Sequence, residues 1–281
     1  MNTSFSIFVN TTDRFEDCWE PFFKLFSFYW PQFKGKIYLN TEYKTYSYPG
    51  LDIVSIKNCE QSKDADTATW SDCLIRGWNA VDNDVVLYMQ EDYFFYAPVQ
   101  HEMVEHYADF IRKENMSCLH LTHASGNGPF LRSKYPDLEE ISQHAHCRIS
   151  CQGALWKKEV LLKYIRRHES AWQFETFGTQ RAHLIKDPFF NVNVIPARTN
   201  RILPYILTGI IQGQWKKDVV ELFAKHDIHV DFSIRGFRNF KKPSFMERIN
   251  SKIKRFPKEL PSKIDLWKLR LKMSKLNTKH E

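Results

Sequence analysis

Asp84-Val85-Val86-Leu87-Tyr88-Met89-Gln90-Glu91-Asp92-Tyr93-Phe94-Phe95-Tyr96 is the stretch that decides the fold. Its apolar run from Val85 to Met89 does not alternate with polar residues, so it predicts a strand covered on both faces, as in a parallel sheet. The run stops at two adjacent carboxylates, Glu91 and Asp92, ahead of a turn at Pro98. Open α/β sheets bind their ligands at the carboxyl ends of strands. Two acids there do nothing for a core and predict a site that meets a cation; the plainer alternative is an exposed acid pair in a turn.

Outward from this strand the pattern alternates. Residues 5–9 predict a first strand that ends in Asn10-Thr11-Thr12-Asp13, and residues 15–28 carry a helical aromatic face. Strands are expected at 36–40, 51–56, 117–122 and 192–195, and helices at 69–81, 99–115 and 152–168, the last after a strand end. Residues 124–136, rich in Gly, Asn and Pro, predict a loop over a site. A second polar and aromatic cluster spans 171–183. No internal repeat is visible. The order of elements predicts an α/β fold with a mostly parallel central sheet flanked by helices.

Size and composition agree with a folded domain plus an appendage. The chain has 281 residues, 43% of them hydrophobic and 15% aromatic, enough for a substantial core and against disorder. No apolar run approaches the ~20 residues of a membrane-spanning helix, and no secretory signal is recognisable. The six cysteines, Cys18, Cys59, Cys73, Cys118, Cys147 and Cys151, are scattered in a way that predicts reduced thiols in a cytoplasmic protein. The net charge of +7 is uneven. Residues 235–281 hold 15 Lys/Arg against 4 Asp/Glu, a net of +11, and residues 1–234 hold 25 against 29, a net of −4. This predicts a catalytic domain over 1–234 and a basic extension over 235–281.

Several residues can carry chemistry. Adjacent carboxylates such as Glu91 and Asp92 are hard oxygen ligands for Mg²⁺ or Mn²⁺, and such an ion typically bridges to a substrate diphosphate. Arg76, on the helix before the acidic strand, offers a planar donor fork for the same diphosphate, or else a salt bridge to a neighbouring acid. Trp156 and Trp172 can stack on sugar faces or fill a core. The run His144-Ala145-His146-Cys147 with Cys151 lacks a second ligand pair and predicts loop residues, not zinc.

The series Thr11-Thr12-Asp13-Arg14, Trp19-Glu20-Pro21-Phe22-Phe23, Tyr29-Trp30-Pro31, Ile37-Tyr38-Leu39-Asn40-Thr41-Glu42 and Val86-Leu87-Tyr88-Met89-Gln90-Glu91-Asp92-Tyr93 resembles bacterial GT-A-fold glycosyltransferases of surface polysaccharide clusters. The resemblance covers residues 1 to about 234. It implies a GT-A-like, Rossmann-like sheet, a nucleotide-sugar donor, and Thr11, Asp13 and Arg14 near the nucleobase and ribose. On the residues alone, Thr12 or Asp13 serves equally well as a helix cap. It also implies a divalent cation on Glu91 and Asp92, although the usual Asp-x-Asp reads Gln90-Glu91-Asp92 here.

Gln152-Gly153-Ala154-Leu155-Trp156 and Ser170-Ala171-Trp172-Gln173-Phe174-Glu175 are similar to the acceptor side of inverting members. Glu175 is then the general base, with Gln152, Trp156 and Trp172 on the acceptor; the structural alternative is an acid at a helix start. The family often adds a late metal ligand, for which His183 and Asp187 are candidates.

The tail carries Phe245, Ile249, Ile253 and Phe256 at near-helical spacing, with Arg248, Lys252, Lys254 and Arg255 between them. After Pro257 and Pro261, Ile264, Trp267 and Leu271 repeat the pattern among Lys263, Lys268, Arg270 and Lys272. Basic amphipathic helices of this kind lie on anionic membrane surfaces. The expectation is therefore a peripheral protein on the inner face of the cytoplasmic membrane, docked through 245–276, with a glycan or lipid-linked acceptor and no nucleic-acid partner. The alternative for the tail is an apolar stripe packed on the body or on a second subunit. For the whole chain the alternatives are a sugar nucleotidyltransferase-like enzyme, disfavoured by the absence of Gly in residues 10–15, and a non-catalytic carbohydrate-binding or scaffold protein.

Overall fold

The strand that begins the chain, β1 (Ser6–Asn10), pairs in parallel with β2 (Lys36–Asn40) on one side, and β2 pairs in parallel with β3 (Asp52–Ser55). A 3₁₀ turn, Asp13–Cys18, leads from β1 into α1 (Trp19–Tyr29), and α2 (Trp70–Asn79) follows β3. Thr69 starts α2 with a reciprocal capping box to Asp72. β4 (Val85–Gln90) then returns to lie parallel to β1 on its other side. The computed structural model describes residues 4–60, 62, 64, 67–122, 128–192, 201–239 and 244–277.

The second half adds α3 (His101–Lys113), β5 (Cys118–His120), β6 (Phe130–Arg132), β7 (Leu138–Ile141), β8 (Ala154–Lys157) and α4 (Lys158–Tyr164). A helical run follows: α5 (Ala171–Gln173), a π-helical turn (Phe174–Gly178) and α6 (Thr179–Leu184). Then come β9 (Phe189–Val192), the hairpin β10 (Ile210–Ile211) and β11 (Gln214–Trp215), α7 (Asp218–Lys225) and α8 (Phe245–Asn277). The nine-stranded sheet has the order β3-β2-β1-β4-β8-β5-β9-β7-β6. Only β7 and β8 run against the rest, so the sheet is mostly parallel, as the sequence predicts.

The central strands are covered on both faces, which accounts for their unbroken apolar runs. Successive side chains leave a strand on opposite sides. Ile7, Val9, Leu87 and Met89 accordingly join the α1 aromatics Phe22, Phe23 and Phe26, whereas Phe8, Val86 and Tyr88 join Trp78 and Trp156. Where α2 crosses β2, a buried amide ladder runs Asn58–Asn40–Asn10. A Cβ on Gly77 would come within 2.0 Å of the Asn40 Oδ1, so the close approach of α2 requires glycine there.

Two expectations about elements change. The segment expected as a loop, 124–136, contains β6, which pairs with β7 through Phe130↔Ile141, while residues 124–127 lie outside the described residues. Of the strand expected at 192–195, only its first residue is described, as the end of β9. The helical spacing expected in the tail forms one helix, α8, which runs through Pro257 and Pro261. The first bonds of the tail region also belong to the body: Arg235 pairs with Asp17, and Gly236 and Arg238 bond the backbone of Trp215. All six cysteines are free thiols. No helix among the described residues is long and apolar enough to cross a membrane.

Candidate functional site

The sheet register assembles the site. β1 and β4 end level, with Asn10 opposite Gln90, so Thr11 and Thr12 lie beside Glu91 and Asp92. β8 runs the other way with Ala154 opposite Tyr88, which places the residues just before it, Cys151 and Gln152, at the same edge. A cleft of about 420 Å³ opens there, and its walls include Thr11, Phe15, Trp70, Glu91, Asp92, Gln152, Trp172, Glu175 and Thr208. Two larger hollows, of about 620 and 760 Å³, lie beside α7 and hold no buried acid.

Glu91 and Asp92 are both buried. Burial pushes both carboxyls above the ordinary carboxylate range, Glu91 well above it, with the neighbouring Asp92 charge adding to the effect on Glu91. Asp92 is better supported as an anion. Its Oδ2 accepts from the Thr208 hydroxyl at 2.5 Å and from the Ile210 N–H at 3.0 Å, both of which favour ionisation. Its Oδ1 is buried and has no hydrogen-bond partner among the described residues. An orphaned carboxylate oxygen in a cleft wall is costly unless a ligand satisfies it.

Glu175 reaches the cleft from the other side. The Ser170 capping box starts α5, and the π-helical turn then carries Glu175. Its Oε1 accepts the Cys151 N–H at 2.8 Å. Burial raises its pKa and that hydrogen bond lowers it in part. Trp172, on the same run, is 71% exposed and borders the cleft, an unusual position for an indole. Behind this wall Tyr93 and Tyr205 stack at 4.6 Å, and the Tyr205 hydroxyl donates to Gln152 and accepts from the Gly153 N–H.

Of the residues the sequence selected, the structure brings Thr11, Glu91, Asp92, Gln152, Trp172 and Glu175 to one cleft. Four others lie elsewhere. Trp156 is 1% exposed within central β8, packed edge-on against Phe189, so it is core and not an acceptor platform. Arg76 pairs with Asp64 on the far side of α2 and does not line the cleft. Asp13 accepts backbone N–H groups of Glu42, Tyr43 and Lys44 and so ties the ends of β1 and β2 together. Arg14 is exposed beside the cleft and does not line it.

His183 bonds the Ala145 carbonyl and Asp187 bonds Tyr164, neither in the cleft. Among the described residues the one trio of His, Cys, Asp or Glu ligand atoms within 4.8 Å is Glu42, Cys59 and Cys73, also outside it.

Sequence reasoning missed Thr208 and Arg235. Thr208 is 116 residues from the acid it holds, so no local pattern links them. Arg235 packs its guanidinium 4.5 Å from the Phe15 ring centroid, pairs with Asp17, and its charge acts on Glu91.

No protein family matches the chain, and no curated protein does. Among solved structures, S. aureus TarS 1-349 is similar at 14% identity over 82% of this chain and 68% of its own, with a TM-score of 0.41. The same protein in complex with UDP-GlcNAc is similar at 14% identity over 94% of this chain and 81% of its own, TM-score 0.44. A mycobacterial protein is similar at 10% identity over 80% and 75%, TM-score 0.44. At these values the likeness is one of coarse chain course.

Proposed function

We propose that the chain is a glycosyltransferase that moves a sugar from a nucleotide donor to a glycan or lipid-linked acceptor with inversion. One observation carries the reading: a buried acid pair with an unsatisfied Asp92 oxygen faces, across one cleft, an anchored Glu175 beside an exposed Trp172. Asp92 and Glu91 suit a divalent cation, since Mg²⁺ and Mn²⁺ sites on nucleotides commonly use one or two carboxylates and complete their shell with phosphate and water. Bound there, such an ion would neutralise the charge of the leaving diphosphate.

The remaining steps belong to the chain. The Thr208 and Ile210 hydrogen bonds orient Asp92 and favour its ionised form against the effect of burial. Arg235, paired with Asp17, lies behind this end of the cleft, and its charge favours the ionised form of Glu91. Trp172 offers an aromatic face to an acceptor sugar. Glu175, held by the Cys151 N–H, takes the proton from the acceptor hydroxyl as its oxygen bonds the anomeric carbon and the carbon–oxygen bond to the diphosphate breaks. A carboxyl raised toward neutrality by burial is suited to that transfer.

The test is Glu175→Gln. It should bind nucleotide sugar as the wild type does and lose ~10²–10⁴-fold in transfer; full transfer would remove the base. The exposed indole bordering the cleft offers an acceptor sugar a face to stack on.

A further inference from the structure

The two faces of α8 differ in what they meet. One face is locked to the body. Ser262 is fully buried and donates to Glu169, His168 bonds the same hydroxyl, and Leu266 is 3% exposed. Asp265 pairs with Arg166 and Arg181, and Arg181 and Glu169 form an ion pair with neither side chain exposed. Gln173, next to Trp172, donates to the Lys258 carbonyl. The helix is thus fixed to the run that carries Trp172 and Glu175.

The opposite face is apolar and uncovered. Ile253, Phe256, Leu260, Ile264, Trp267 and Leu271 are each 43–65% exposed. At 3.6 residues per turn they fall within an arc of about 80° and span about 27 Å. Lys263 and Arg270 border this stripe on one side, and Lys254, Lys268 and Lys272 on the other. From 253 to 276 there are 8 Lys/Arg and 2 Asp/Glu, one of which, Asp265, is taken up in the lock. The side chains of Phe245, Arg248 and Lys252 lie outside the described residues. An apolar ridge between two basic rails matches the acyl boundary and headgroups of an anionic lipid surface.

We infer that the outer face of α8 docks on an anionic bilayer and, resting on the glycosyltransferase reading, that it holds the acceptor wall of the cleft next to lipid-borne acceptors. The stripe lies in the interface and does not span it. The basic rails supply the selectivity for charge, and Trp267 sits where an interfacial aromatic belongs.

The experiment is flotation of the full chain with vesicles of phosphatidylglycerol and phosphatidylethanolamine, or of phosphatidylcholine alone, at 50 and 500 mM salt. Binding is expected to the anionic vesicles and to fall with salt. Replacing two rail residues, Lys268→Gln with Arg270→Gln, removes ~1 kcal/mol each, or about 30-fold in partitioning. Ile264→Ser with Trp267→Ser, both exposed and so compatible with folding, should abolish it.

Equal binding to neutral vesicles, no binding to anionic ones, or a stripe-dependent dimer in sedimentation without lipid affinity would each overturn the inference. Nucleotide-sugar titration of the same variants without lipid separates the two proposals. Flotation with no nucleotide binding keeps the docking surface and removes the enzyme; nucleotide binding without flotation does the reverse.

Discussion

Thr208→Val removes one hydroxyl and keeps the shape. In the wild type that hydroxyl donates to Asp92 Oδ2 at 2.5 Å, leaving the Ile210 N–H as the other donor. Burial already raises the Asp92 pKa, and the Thr208 bond opposes the rise, so losing it raises the pKa further. On the proposed reading the ionised form would hold the cation, and the cation the diphosphate. As pH falls, binding should therefore fail at a higher pH in the variant than in the wild type. A hydrogen bond to a charged group contributes ~1.5–3 kcal/mol. On the acid side of the profile this amounts to about 10- to 100-fold weaker binding.

Calorimetric titration with UDP- and GDP-sugars plus Mn²⁺, from pH 5 to pH 9, reads the effect. The ligand's own protonation is common to both proteins and cancels in the difference. Affinities should converge at high pH, where Asp92 is ionised in both, and Thr208→Ser should restore the wild-type profile. A variant weakened equally at every pH would show that Thr208 shapes the cleft and does not tune Asp92, which would refute the reasoning.

Two further outcomes follow from the same geometry. In Gly209→Ala the new methyl would lie 2.4 Å from the Phe94 ring, which is wedged against Trp215 and Phe223. Relief requires the 208–210 segment to withdraw from Asp92, so melting should show ~1–3 kcal/mol of destabilisation together with weaker nucleotide binding; either change alone would contradict this coupling. His120 is buried with neither ring nitrogen bonded among the described residues, and burial lowers its pKa from 6.5 to about 4. The folded state then binds fewer protons than the unfolded one, so His120's contribution is intact above pH 6.5 and is lost as pH falls toward 4, about 3 kcal/mol in all. Urea unfolding across that window should show a shallower loss in His120→Leu, and parallel curves would count against it.

How much was legible in the sequence depended on distance along the chain. The acid pair was legible because β4 is a long apolar run that stops abruptly, and its partners β1 and β2 show the same local signature. Glu175 and Trp172 were placed by the resemblance of residues 170–175 to the acceptor side of inverting glycosyltransferases, a stretch that is equally local. Thr208 was not legible, since its partner is distant in sequence and a threonine among short loops carries no mark.

Arg76 and Trp156 failed for a different reason. A helix position fixes where a side chain starts, and Asp64 then decided where the Arg76 guanidinium went. Trp156 follows Ala154 and Leu155 in a short apolar strand, and a strand between β4 and β5 is buried on both faces. Pro257 and Pro261 cost α8 backbone bonds, yet the Ser262, Asp265 and Leu266 contacts just beyond them offset the loss. That compensation is tertiary and leaves no trace in the local pattern.

The central claim is that the Glu91–Asp92 end of the cleft binds the diphosphate of a nucleotide sugar. Calorimetric titration of the wild type and Asp92→Asn with a panel of nucleotide sugars, with and without Mn²⁺, tests it most directly. The account expects one saturable site for at least one donor, strengthened by Mn²⁺ and lost in Asp92→Asn while the melting temperature is kept. Binding that is unchanged in Asp92→Asn, or no binding of any donor by the folded wild type, would contradict it.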